Sequence, residues 1–167
     1  MGNLDPELDV AVAAMVGEGA RFVVVGGFAV TANRLVRATE HVDFLVPDDD
    51  ENDRRILAAL RKLGGVRHRD DASLDEDLLI GKTHLRTKTT AGIIDIIRGG
   101  LPPLDYETVE GQARDADYGG AKFKVAGVAS IVGFKRLADR PRDRNDLEGL
   151  AEVHGELPID EIPGVDS

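Results

Sequence analysis

The run Val23-Val24-Val25 leads directly into Gly26-Gly27, and no other stretch constrains the fold of this chain as tightly. Three consecutive β-branched residues favour a buried strand, here predicted over 21–25. The glycine pair ends the strand, and a short helix is expected from Phe28 to Leu35 with its first turn at Gly27. A strand that passes through two glycines into a helix leaves backbone N–H groups uncovered. Such a turn can wrap a phosphate, helped by the helix N-terminal dipole. It can equally be a tight strand–helix turn in which glycine supplies a positive φ.

A second strand is predicted over 41–46, and it carries an acid in an apolar setting. Side chains two apart on a strand share a face, so His41 and Asp43 point one way while Val42 and Phe44 point toward the core, as does the side of Glu40. Asp95 repeats the pattern between Ile94 and Ile96 in a strand over 92–97. A carboxylate buried without a partner is costly, so each of these acids needs a cation, a donor or water. The two would meet if their strands are neighbours, and together with the glycine turn they favour a metal site over two separate strand-end acceptors.

The remainder reads as alternating helices and strands. An amphipathic helix is expected over 5–18, with Leu8, Val12, Met15 and Val16 near one face. The acidic run Asp48 to Glu51 suits a helix N-terminus, and that helix continues through Ile56, Leu57, Leu60 and Leu63 to Gly64-Gly65. Short strands follow near 66–69 and 83–88, with another at 121–126. A helix over 127–139 and a last one opening at Asp143 after Pro141 complete the pattern, and the tail beyond Leu157 is expected to be loosely held. The fold class is therefore α/β (α+β): a small mixed β-sheet flanked by helices, with a helical C-terminal third. One domain over 1–167 is expected, with a core over about 20–126, a helical portion over about 127–155 and a tail over 156–167.

Composition narrows the function. The 167 residues contain no cysteine, which removes disulfides and thiolate metal sites and fits a reducing, cytoplasmic setting. No apolar run reaches the ~20 residues that span a membrane. A formal net charge of -10 argues against nonspecific nucleic-acid binding and suits a site that gathers divalent cations. A local basic face remains: Lys82, His84, Arg86 and Lys88 alternate with Thr83, Leu85 and Thr87, and Arg67-His68-Arg69 lies on a predicted edge strand. That face could meet a polyanionic acceptor such as tRNA, although solvent exposure is the commoner reason for such alternation. His154 is expected at the surface.

Gly26-Gly27 with Ala29, then Arg37, Thr39 and Asp43-Phe44-Leu45-Val46, then Asp95, resembles the nucleotidyltransferase fold of the DNA polymerase beta superfamily. The C-terminal string from Val128 to Leu147, with Lys135, Arg140, Asp143 and Asp146, is similar to the signature of the abortive-infection (type IV) toxin branch. The motifs span roughly residues 20–150. Each is short; their order is what makes the set specific. The resemblance implies metal-dependent transfer of an NMP from an NTP to a hydroxyl on RNA, a protein or a small molecule. It implies Mg²⁺ or Mn²⁺ as cofactor, held by Asp43, Asp95 and the residue at 41. It implies that Gly26, Gly27, Arg37 and Lys135 contact the nucleotide. Asp146 would orient or deprotonate the acceptor, or hold Arg140. The toxin branch further implies a cognate antitoxin as partner. Catalytic roles fall on Asp43, Asp95, Lys135 and Asp146. The plainer reading of the segment from Lys135 to Asp146 is a set of helix-surface ion pairs with a helix cap at Asp143.

One position departs from the pattern. His41 stands where the first acid of an acid-x-acid pair is expected. The replacement removes a charge and two hard oxygen ligands. Imidazole ligates Mg²⁺ poorly and suits Mn²⁺, Co²⁺ or Zn²⁺. Three outcomes stay open: a variant metal site, a nucleotide-binding protein without turnover, or a protein-interaction module on an inherited fold.

Overall fold

The valine run and both acid-bearing strands come together at the centre of one mixed sheet. The structure, a computed structural model, describes residues 7–32, 41–118 and 120–159. Seven strands lie in the order β3-β4-β5-β2-β1-β7-β6. They are β1 (Val23–Val25), β2 (Val42–Val46), β3 (Val66–Arg67), β4 (His84–Thr89), β5 (Gly92–Arg98), β6 (Arg114–Tyr118) and β7 (Ala121–Val125). β2 runs antiparallel to β1 and parallel to β5, and β1 runs parallel to β7. Every residue of β1 and β2 is buried, as expected for strands covered on both faces.

Six helices are described: α1 (Leu8–Gly17), α2 (Gly26–Ala32), α3 (Asp50–Lys62), α4 (Tyr106–Gly111), α5 (Val128–Ala138) and α6 (Pro141–His154). α1 buries Ala11, Val12 and Met15, but Val16 is exposed. A residue advances about 100° around a helix, so Val16 has already turned off the buried stripe. The acidic run does open a helix: Asp49 caps α3 by accepting from the Asn52 backbone N–H. Its acids also grip Arg98 at the end of β5. The buried guanidinium reaches Asp48 at 2.7 Å and Asp53 at 2.8 Å, tying α3 to the strand that carries Asp95.

Several boundaries differ from expectation. α2 opens at Gly26, with no intervening turn, and its continuation toward Leu35 lies outside the described residues. α4 and β6 were not foreseen: α4 is only six residues long, and β6 (Arg-Asp-Ala-Asp-Tyr) is exposed at four of its five positions and shows no apolar alternation. α6 starts at Pro141 instead of Asp143. Proline fits the first helical turn because its fixed φ suits the helix and no N–H is missed there. Leu157 packs partly buried against the core. No helix among the described residues is long and apolar enough to cross a membrane.

Candidate active site

Strand register makes the site. Asp43 of β2 and Asp95 of β5 are direct partners across a parallel pair, and Val25 faces Asp43 across the antiparallel pair on the other side. The two lone acids therefore meet, beside the end of β1 where the glycine turn begins. Gly26 sits at φ +71°, in the left-handed region, and a β-carbon built there would overlap the Asp43 carboxylate. Glycine is required here for both reasons: the conformation and the close approach.

His41 lies just before β2 and completes a three-residue cluster whose ligand atoms all fall within 4.8 Å of one another. Its Nδ1 is 2.8 Å from Asp43 Oδ1 and 3.7 Å from Asp95 Oδ2. The approach to Asp43 is close, yet Nδ1 is shielded from solvent without a well-directed hydrogen bond. A buried nitrogen of this kind, converging with two carboxylates, is a donor set that fits a divalent ion. Contact with Asp43 raises the imidazole pKa above its ordinary value, against the lowering effect of burial. Burial pushes the Asp43 carboxyl up, with His41 opposing.

Opposite the sheet, α5 and α6 supply the cations. Lys135 is buried and clasped by Asp143 Oδ1 at 3.1 Å and Asp146 Oδ2 at 2.9 Å. Asp143 also accepts from Arg140, through Nε at 2.7 Å and the backbone N–H at 3.1 Å. Burial raises the Asp143 carboxyl, but the Arg140 and Lys135 donors outweigh it and bring its pKa down to about 2. These are not exposed surface ion pairs, because both Lys135 and Asp143 are buried. The N-cap of α6 is Arg140, and Asp143, its third residue, caps from inside by accepting the Arg140 backbone N–H.

A cavity of about 250 Å³ joins the two halves. Gly26, His41, Asp43 and Asp95 line one side and Lys135, Arg140 and Asp143 the other, with Ile131 and Phe134 as apolar wall. Of the residues singled out in sequence, Gly27 is buried and lies outside this lining, and Asp146 stands behind Lys135. Arg37, Thr39 and Glu40 lie outside the described residues.

Arg86 is the site residue that the sequence did not single out. It faces Asp95 across the β4–β5 pair and binds it with both arms of its fork, Nε to Oδ1 and a terminal nitrogen to Oδ2, each at 2.8 Å. His84 Nε2 approaches Asp95 Oδ1 at 3.7 Å from the same strand.

No family profile matches this chain, nor does any curated protein sequence. Solved structures do match. LnuA, a lincosamide antibiotic adenylyltransferase solved with lincomycin bound, aligns with a TM-score of 0.64 at 13% identity, covering 90% of this chain and 99% of its own. ANT(2'')-Ia in complex with adenylyl-2''-tobramycin aligns at 0.58 with 17% identity, over 87% and 86%. The fold is that of the nucleotidyltransferases. An antigenic nucleotidyltransferase-like protein from Paracoccidioides brasiliensis agrees, at 0.53 and 14% identity over 89% and 78%. The expected α/β fold, with its mixed sheet and helical C-terminal third, is thereby established. At these identities the likeness speaks to fold.

Proposed function

We propose that this chain is a nucleotidyltransferase that moves an NMP from an NTP to a hydroxyl acceptor. The observation that carries the reading is the convergence of His41, Asp43 and Asp95 with Lys135 on one cavity beside the Gly26 turn. Nucleotidyl transfer asks a protein chiefly to position phosphates and to balance their charge. Asp43, Asp95 and His41 would hold a divalent ion, Mg²⁺ or Mn²⁺. Such an ion, when bound, polarises the phosphate and lowers the pKa of a hydroxyl.

The chain's own groups do the rest. Gly26 gives close backbone approach to the site. Lys135 and Arg140 set cationic donors opposite the carboxylates, where the triphosphate would lie, with Asp143 and Asp146 balancing their charge. Asp143 and Asp146 hold the Lys135 ammonium in place, so its direction is set before a ligand arrives. Ile131 and Phe134 offer an apolar wall to a base or acceptor ring.

A second reading has its own support: a nucleotide-binding protein without turnover, or an interaction module. The His41 substitution and the Arg86 fork on Asp95 both reduce the charge available to a metal. The acceptor class (tRNA, protein or small molecule), a toxin–antitoxin role, a cognate antitoxin, a cytoplasmic location and the single-domain reading of 1–167 rest on the sequence resemblance and composition. Pyrophosphate release from each of the four NTPs, with Mg²⁺ and with Mn²⁺, tests transfer. Release by the wild type that is lost in Asp43→Ala supports it; release that is untouched by Asp43→Ala overturns it.

A further inference from the structure

The Arg86–Asp95 pair sets a condition on how this site can fill. Both carboxylate oxygens of Asp95 already accept from one guanidinium at 2.8 Å, in the fork geometry that gives the strongest such pairs. The carboxylate is buried, whereas the Arg86 side chain is 43% exposed and lines the same cavity. One partner is therefore fixed and the other has room to turn. Its surroundings favour anions: His84 on the same strand and Lys82 just before it stand beside it on a second, more open groove with Arg67, His68 and Arg69. Asp70 and Asp71 offset part of that charge, through Arg67 and Lys88 respectively.

Charge counting points the same way. Asp43 and Asp95 bring two negative charges into a buried pair of adjacent strands, and Arg86 cancels one of them. Counting Asp43, Asp95 and Arg86 alone, a divalent ion added while Arg86 stays leaves a net positive charge, with two cationic groups on one carboxylate. Among the same groups, adding it while Arg86 leaves Asp95 balances the two carboxylates. A guanidinium that leaves Asp95 finds an oxyanion in the cavity when a triphosphate is bound there.

We propose that Arg86 is a resident counter-ion of Asp95 that a divalent ion displaces, and that the freed guanidinium transfers to the phosphates of the nucleotide. Metal and nucleotide then bind with positive coupling, because each provides for a group that the other sets free. Arg86 is thus a positioning residue in the empty site and a phosphate contact in the filled one. This rests on the divalent-ion site proposed above.

Calorimetric titration of Mn²⁺ alone into wild type, Arg86→Met and Arg86→Lys gives the first test. Arg86→Met should bind Mn²⁺ about tenfold more tightly than wild type, within the usual range of coupling between two ligands. Arg86→Lys keeps the charge without the fork and should fall between them. The second test uses Mn²⁺–tripolyphosphate premixed at equal concentrations, and tripolyphosphate alone with chelator. Arg86→Met should weaken binding of the complex and leave metal-free tripolyphosphate unchanged. Far-ultraviolet circular dichroism confirms that the variants are folded. Unchanged Mn²⁺ affinity in both variants, or unaltered binding of the complex, overturns the exchange while leaving the metal site standing. Absence of Mn²⁺ binding in all three proteins overturns the metal site and the exchange with it.

Discussion

Asp43 on β2 and Asp95 on β5 stand side by side in register on adjacent parallel strands, and their surroundings make them unequal. Asp95 has the Arg86 fork. Asp43 has His41, and its pKa is raised by burial. The same substitution at the two positions should therefore have opposite effects on stability. Asp43→Asn removes a charge that its site disfavours, so melting temperature should hold or rise while nucleotide chemistry is lost, the usual exchange between stability and function at an active site. Asp95→Asn strips Arg86 of a charged partner and should destabilise by about 1–3 kcal/mol. Thermal melts of the two variants check this; equal shifts would contradict it.

Gly26 is tested by adding one methyl group. Gly26→Ala places a β-carbon on the Asp43 carboxylate and holds a non-glycine residue at φ +71°. The strain and displacement should cost on the order of 1–3 kcal/mol. Nucleotide-dependent activity should fall further than stability alone explains, because Asp43 itself has to move. Gly81 is the control: it too has a positive φ, +74°, but open space around it. Gly81→Ala should cost stability from strain and leave activity unaltered.

Lys135 is buried between two buried carboxylates, so its removal tests whether the clasp is structural as well as functional. Lys135→Met leaves Asp143 with Arg140 and deprives Asp146 of its ammonium. The expected cost is about 1–3 kcal/mol in urea unfolding, less than for stranding a lone buried charge because Asp143 keeps Arg140. A double variant, Lys135→Met with Asp146→Leu, should recover part of that stability without recovering nucleotide binding.

Acid should loosen the helical third of the chain through Asp143. Its folded-state pKa, about 2, lies below the ordinary carboxylate value of 3.8. A depressed carboxylate contributes stability that is fully present above the unfolded-state value and is lost as pH falls toward the folded one. The window here is between about pH 4 and pH 2. Allowing for the exposure of Arg140, the contribution is about 1–2 kcal/mol. Stability measured against pH should show a slope in that window that is reduced in Asp143→Asn.

Much of the sheet was legible because its central strands are marked by what does not belong in them. Lone acids in apolar runs identified Asp43 and Asp95, and Gly26-Gly27 identified the turn beside them. α4 and β6 escaped because both are short, and β6 is exposed along most of its length. Arg86 escaped for a different reason. Its alternation with Lys82, His84 and Lys88 reads as a solvent face, and its partner depends on strand register. That register was within reach: Thr89 pairs with Gly92 around a two-residue turn, and three steps back along each strand place Arg86 opposite Asp95. The grip of Asp143 and Asp146 on Lys135 needed the angle between α5 and α6, which no local pattern encodes.

The central claim is that a nucleotide binds at the cluster of His41, Asp43 and Asp95. Calorimetric titration of each NTP into the wild type and Asp43→Asn, with and without Mn²⁺, tests it without requiring the acceptor. The account predicts that at least one NTP binds in a Mn²⁺-dependent manner and that Asp43→Asn weakens this binding by about tenfold or more. Binding that is indifferent to both Mn²⁺ and Asp43→Asn, or no binding of any NTP, would contradict it.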